Sequence, residues 1–217
     1  MATEVEARFA ATGHEPLDAL AAAPALGPAT LGPAVAFDEV DRYLDTDPHR
    51  LAPAGWACRL RSRADAVRAS LKGPPDAVDP DWLHRRPEVE GPATPSLDAR
   101  DWPESEARFL LLDLSGGRPL HERIALHQRR SERIVRLADG GLADGGRIGT
   151  LTLDVVRVER GTALGMLFMV ELELADPSPR AEGELSRLAD ALAAIPGLVA
   201  EPRTKLERAL ELAEGVG

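Results

Sequence analysis

The opening stretch Glu4-Val5-Glu6-Ala7-Arg8-Phe9 narrows the possible folds more than any other part of the chain. Successive side chains of a strand point to opposite faces, so Glu4, Glu6 and Arg8 share one face while Val5, Ala7 and Phe9 share the other. A half-buried surface strand shows the same alternation with its charges in water. Repetition would set this strand apart, and the chain repeats it. Val170-Glu171-Leu172-Glu173-Leu174 nearly mirrors the opening, and Arg86-Pro87-Glu88-Val89-Glu90 alternates a base and two acids. Trp56 to Arg63 places Arg59, Arg61 and Arg63 on one face and Cys58 and Leu60 on the other. Lys72 shares a face with Ser70 and Arg68, and Asp154 lies opposite Leu151, Leu153 and Val155.

The remaining pattern supplies helices and connections. Pro16 followed by Leu17 to Ala23 reads as a short helix, and Glu182 to Ile195 and Arg203 to Glu214 have helical spacing around Pro196-Gly197. Val40 to Thr46 has strand character, with Tyr43 and Asp45 organising the turn after it. Glu106 to Leu114 is an apolar, helix-like stretch, whereas the periodicity of Leu120 to Leu137 does not settle helix against strand. The proline-rich segment from Gly73 to Glu104 encloses the Arg86–Glu90 strand. It therefore reads as loops around an edge strand inside one domain, where proline is tolerated. The Ala-Asp-Gly-Gly repeat at 138–141 and 143–146 reads as a loop; it lacks the Gly-Lys-Ser/Thr ending of a P-loop.

Composition removes several function classes. A formal charge of −10 argues against nucleic acid as the main partner. The single cysteine, Cys58, excludes a disulfide framework and a cysteine-rich zinc site, and reads as a small buried apolar side chain in a reducing cytoplasm. The uncharged run Ala19 to Phe37 is broken by Pro24, Pro28 and Pro33, so it makes no spanning helix, and no targeting signal is visible. The histidines His14, His49, His84, His121 and His127 show no ligand spacing and read as surface residues, as do Arg129 and Arg133. Of 26 basic residues only Lys72 and Lys205 are lysines.

Two architectures fit these faces. In one, an open sheet turns its charges to water and covers its apolar side with helices. In the other, an antiparallel barrel closes around a charged lumen and its apolar outer face carries the helices. In the second, clustered acids would bind a divalent metal through hard oxygen ligands and the facing bases would hold a polyanion.

Glu4-Val5-Glu6-Ala7-Arg8, Tyr43-Leu44-Asp45-Thr46, Arg59-Leu60-Arg61, Leu71-Lys72, Arg86-Pro87-Glu88-Val89-Glu90, Asp154, Glu171-Leu172-Glu173 and Thr204-Lys205 fall in an order that resembles the CYTH domain, the triphosphate tunnel metalloenzymes. The resemblance spans nearly the whole chain. It implies an α+β fold, an eight-stranded antiparallel β-barrel tunnel with a charged lumen and helices packed outside, as a single domain over residues 1–217. It implies Mg²⁺ or Mn²⁺ bound by Glu4, Glu6, Asp154, Glu171 and Glu173, with Glu4, Glu6, Glu171 and Glu173 as the catalytic carboxylates. Arg8, Arg59, Arg61, Lys72, Arg86, Arg130 and Lys205 would bind the triphosphate, and Glu88 and Glu90 would line the tunnel. The family usually has lysine where this chain has Arg8, and a planar fork does not replace a point charge.

The expected activity is metal-dependent hydrolysis of a triphosphate, inorganic triphosphate first and thiamine or nucleoside triphosphates behind it. A non-catalytic module binding polyphosphate or a nucleotide is the alternative. Class IV adenylyl cyclase ranks last, because the His-Phe pair of cyclase members has no counterpart before Glu4. The expected partners are a small triphosphate or polyphosphate, with no membrane, in a cytoplasmic monomer or homodimer.

Overall fold

The stretches that alternate charged with apolar residues all become strands in the computed structural model, which describes residues 1–76, 80–137 and 146–215. In chain order the elements are β1 (Ala2–Ala11), α1 (His14–Ala22), β2 (Ala25–Leu26), β3 (Ala29–Leu31), β4 (Val35–Thr46), β5 (Ala57–Arg63), β6 (Ala66–Lys72) and β7 (Leu83–Pro92). There follow α2 (Glu106–Ser115), β8 (Leu120–Leu137), β9 (Arg147–Arg160), β10 (Ala163–Leu174), α3 (Pro179–Ala193), β11 (Leu198–Ala200) and α4 (Lys205–Gly215). Eight strands pair antiparallel in the order β8-β4-β5-β6-β7-β1-β10-β9, and β9 pairs back onto β8. The closed barrel is therefore the architecture adopted, and closure leaves these eight strands no free edge.

Register places opposite charges side by side. Glu4 pairs with Arg86, Arg8 with Glu171, Lys72 with Glu88, Asp41 with Arg61 and Arg130 with Asp154. Directly opposed residues of opposite sign stabilise a ladder where like charges would disrupt it. One expectation changes: β7 lies between β6 and β1 and is no edge strand. Pro87 is accommodated because its carbonyl accepts from Gly73 N–H at 2.8 Å, just beyond the last β6 residue. Its missing donor thus falls where that ladder has ended.

The apolar faces point outward and form two cores. Val5, Ala7, Phe9, Leu151, Leu153, Val170 and Leu172 pack against Leu17 and Leu20 of α1 and Leu185, Leu188 and Leu192 of α3. On the other flank Leu60, Ala69, Leu71 and Val89 pack against Ala107 and Leu111 of α2, with Cys58 buried among them. Each large side chain so buried contributes about 2 kcal/mol. Burial pushes the Cys58 thiol up to about 12, which makes it an inert core residue. Capping by Ser105 and Ser178, whose hydroxyls accept from Arg108 and Ala181 N–H, starts α2 and α3.

Helices α1, α2 and α3 lie outside the barrel, and α4 closes one end of it. Ala209 and Ala213 pack on Ile124, Leu126, Val156, Val158, Leu167, Met169 and Tyr43. These residues continue the inward-facing positions of β8, β9 and β10, whose inner faces change from charged to apolar along the strand. Gly165 eases the fit, since a Cβ there would meet the Leu212 side chain of α4 and force it to turn away. The helix begins with a reciprocal cap in which Thr204 N–H donates to Glu207 at 2.7 Å and Glu207 N–H to the Thr204 hydroxyl at 3.2 Å. The cap sets Lys205 in the first turn, pointing into the lumen.

Leu120 to Leu137 resolves as a strand. Arg133 is buried, not solvated: its guanidinium donates to the carbonyls of Leu20, Ala21, Ala23, Leu31 and Gly32, tying the end of α1 to β3. Arg129 is exposed and pairs with Asp38. The Ala-Asp-Gly-Gly repeat, apart from Gly146, lies outside the described residues. Among the described residues no helix is long and apolar enough to cross a membrane.

Candidate functional site

The charged half of the barrel encloses a cavity of about 180 Å³ lined by Glu4, Glu6, Arg8, Tyr43, Arg59, Arg61, Lys72, Arg86, Glu88, Glu90, Arg130, Glu171, Glu173 and Lys205. Asp154 stands fully buried behind Arg130 and Lys205. The structure thus brings together the acids and bases named as candidate metal and phosphate ligands, whereas Arg63 and Arg68, which share their strand faces, lie exposed outside this cavity. Period-two strands delivering alternate residues to one interior are what bring together positions so distant in sequence.

At the open mouth, carboxylate oxygens of Glu4, Glu88 and Glu173 lie within 4.8 Å of one another. Glu4 accepts from Arg86 at 2.9 Å and from Lys72. Burial alone would raise its pKa, but these two cations reverse that and hold it down to about 2. Glu88 accepts the Ser70 hydroxyl at 2.5 Å and lies 3.5 Å from Lys72 Nζ. Glu173 has no ion pair among the described residues. Its surface stays open to solvent, yet loss of hydration from the surrounding wall, then the charges of Glu4 and Glu6, push it up to about 7. The solvent access tempers the first of these effects, and the like charges are the firmer cause.

Deeper in, the carboxylates are committed to bases. Arg130 grips Asp154 through two bonds of 2.8 and 2.7 Å, and Lys205 Nζ reaches Asp154 at 2.7 Å and Glu171 at 3.1 Å. Burial opposes ionisation of Glu171, but Lys205, Arg8 and Arg130 hold it well below the usual range; Asp154, against the same burial, is lowered by Arg130 and Lys205. Glu6 is raised, because full burial and the neighbouring acids Glu4 and Glu171 outweigh its pairing with Arg8.

The bases differ in how much of each is free. Arg61 spends its fork on Asp41 through two bonds of 2.7 Å. Arg8 is engaged by Glu6, Glu171, His84 and the Arg203 carbonyl. Arg59 is the exception. Its nearest acids, Asp41, Glu88 and Glu90, stand at 3.5, 3.9 and 3.9 Å, and its buried Nε has no partner.

Several contributors were missed or misjudged from sequence. Glu39 and Asp41 sit in the wall against Arg61 and Arg130, and Gln128 bridges Asp41 and Lys205. The alternation Glu39-Val40-Asp41 carried the signal, lost by starting that strand at Val40. His84 is buried, not on the surface, and donates from Nε2 to the Glu201 carbonyl at 2.8 Å. Burial, with the Arg8 charge beside it, lowers its pKa to about 4, so it is neutral. Asp45 does order a turn, accepting N–H groups from Thr46, Arg50, Leu51 and Ala52, whereas Tyr43 lines the lumen.

The donor set suits a hard divalent cation: three converging carboxylates, one of them with no cation of its own. Glu88, so far only a tunnel-lining residue, joins Glu4 and Glu173 in that cluster.

No protein-family model and no curated protein sequence matches the chain. Solved structures do. A putative adenylyl cyclase from Hippeastrum, described as having a dominant triphosphatase activity, is 18% identical with a TM-score of 0.62, over 96% of this chain and 95% of that one. A putative adenylate cyclase from Bacillus halodurans is 18% identical, TM-score 0.57, over 96% and 98%. A protein from Pyrococcus horikoshii is 18% identical, TM-score 0.54, over 95% and 98%. The chain therefore has the fold of the CYTH, or triphosphate tunnel, family: an eight-stranded antiparallel barrel with a charged interior.

Proposed function

We propose that the chain works over residues 1–217 as one tunnel unit that hydrolyses a triphosphate with Mg²⁺ or Mn²⁺, inorganic triphosphate being the substrate. One observation carries this reading. Around the carboxylate cluster, Arg59, Lys72 and Arg86 keep donors to spare, while Glu173 has an uncompensated charge. A trianionic cluster ringed by part-free bases is suited to a ligand that brings both phosphates and a cation.

Charge balance supports the metal requirement. With Asp154, Glu39 and Asp41 counted in the wall, the acids of the lumen already outnumber its bases, so a polyanion entering alone would leave a large negative excess. Glu4, Glu88 and Glu173 would hold a divalent ion, which when bound would supply that missing charge and Lewis-acid polarisation of the phosphates. Arg59, Lys72 and Arg86 grip and orient the phosphates, with bidentate geometry available to the two arginines. Arg61, Arg130 and Lys205 add positive potential from fixed ion pairs. Glu6, Asp154 and Glu171, the other proposed ligands, join a metal only by exchanging their present partners.

Release of phosphate from inorganic triphosphate with Mg²⁺ or Mn²⁺ tests the reading. Tight binding of polyphosphate without release under either metal would sink it in favour of a binding module, and cyclic AMP made from ATP would favour a cyclase. The Hippeastrum protein's described triphosphatase activity agrees with hydrolysis. Arg59→Gln is expected to raise KM about 10- to 100-fold, the worth of a lost charged hydrogen bond, with little change in Tm. An unchanged KM would remove Arg59 from the phosphate site.

A second reading rests on a side chamber of about 570 Å³ that shares Tyr43, Lys72, Arg86 and Lys205 with the charged cavity. Trp56, Leu83, Leu206 and Leu210 give it apolar walls. Such walls favour a triphosphate with an organic group, thiamine or a nucleoside. Comparing kcat/KM for these esters with inorganic triphosphate separates the two readings.

A further inference from the structure

Arg8 is the one position where the opening motif departs from the expected lysine, and its surroundings differ from those of a phosphate-binding base. The side chain is 1% exposed. Its Nε donates to Glu171 at 3.2 Å and its second terminal nitrogen to Glu6. The first terminal nitrogen donates to the Arg203 carbonyl at 3.0 Å and to His84 Nδ1 at 3.2 Å. His84 can accept there because its Nε2 hydrogen is spent on the Glu201 carbonyl, which leaves Nδ1 with a lone pair.

These bonds converge on one stretch of chain. Glu201 N–H donates to the Arg8 carbonyl at 3.1 Å, so residues 201 and 203 are held by both the backbone and the fork of Arg8, with His84 as the third support. Two residues on, Lys205 enters the lumen and meets Asp154 and Glu171. A lysine at position 8 could reach Glu6 and Glu171, but a single ammonium cannot also serve the Arg203 carbonyl and His84 on the far side.

We propose that Arg8 is a positioning residue that, with His84, bolts segment 201–205 to the barrel and so places Lys205 in the lumen. It does not grip the phosphates. The bolt explains why arginine is accepted where a point charge is expected: the fork spans β1, β7, β10 and the approach to α4 at once. Its effect on substrate rests on the triphosphate reading; its effect on the segment does not.

The test uses the full chain and the variants Arg8→Lys, His84→Leu and the pair together. Hydrogen exchange at the amides of 201–208 is expected to quicken about tenfold in each single variant, and no further in the double variant, because both break one unit. KM for inorganic triphosphate is expected to rise about tenfold with kcat within about threefold, since the Glu4, Glu88 and Glu173 cluster is untouched. Unchanged exchange in Arg8→Lys with a large loss of triphosphate binding would overturn the bolt and make Arg8 a phosphate ligand. Additive effects in the double variant would overturn the partnership with His84. If Arg8→Lys does not fold, His84→Leu decides the exchange question alone, unchanged exchange counting against the bolt. If the native chain neither binds nor cleaves triphosphate, the functional reading fails and the exchange comparison still decides the bolt.

Discussion

Glu173→Gln is expected to make the metal-free protein more stable and to slow the proposed triphosphate hydrolysis sharply. Glu173 stands among Glu4, Glu6 and Glu88 with its pKa pushed up to about 7, so its ionised form is disfavoured in the folded chain. The folded state therefore binds more protons than the unfolded state between pH 4.5 and about 7. Stability then falls as pH rises through that window and stays low above it. Glutamine removes the repulsion; because the side chain is open to solvent, the gain at pH 8 is only about 1 kcal/mol, or about 2–4 °C in Tm. Melting curves at pH 5 and pH 8 without metal check this: the native chain loses stability between them, and the variant loses less.

Metal reverses the order. Saturating Mn²⁺ at pH 8 is expected to raise the Tm of the native chain, since a ligand that binds only the folded state stabilises it by mass action. The same addition leaves Glu173→Gln nearly unmoved. Triphosphate hydrolysis falls about 10²- to 10³-fold, the scale of losing one well-placed electrostatic group. Full Mn²⁺-dependent activity in the variant would exclude Glu173 from the metal site. This is the trade of stability for function expected where like charges are held ready for a cation.

Arg133→Met is expected to be strongly destabilising although the residue stands outside the lumen. The guanidinium answers five carbonyls, those of Leu20 and Leu31 on buried residues and those of Ala21, Ala23 and Gly32 on half-buried ones. Unpaired buried acceptors cost about 1–3 kcal/mol each; with partial relaxation the total is about 3 kcal/mol or more, a fall of roughly 6–12 °C in Tm. Triphosphate kinetics at 20 °C should be nearly unchanged, because Arg133 faces away from the lumen. A Tm within about 2 °C of the native value would show that the carbonyls find other donors.

The barrel was legible because period-two alternation is local: Glu4 to Phe9 or Glu171 to Leu174 states which residues share a face without reference to any partner. What such a stretch cannot state is what the face meets. His84 and Arg133 read as surface residues since a lone polar side chain in sequence looks alike whether it meets water or, as here, carbonyls of Glu201 or Leu20 more than a hundred positions away. The spacing of Arg203 to Glu214 likewise announced a buried helical face, but not that the face would enter a barrel end. Leu120 to Leu137 was ambiguous because its buried face switches along it, from Ile124, Leu126, Gln128 and Arg130 to Arg133, Val135 and Leu137, and because three of those buried residues are polar, so hydrophobicity along it has no clean period.

The chain's only two lysines, Lys72 and Lys205, both stand in the lumen, with side chains 11% and 6% exposed. The outer surface thus carries its positive charge as guanidinium alone. Apart from the amino terminus, amine chemistry of any kind, from acylating reagents to enzymatic acetyl marks, has no target on this protein except inside the barrel. A small acylating probe would accordingly report on whether the lumen is occupied, with the outer wall silent.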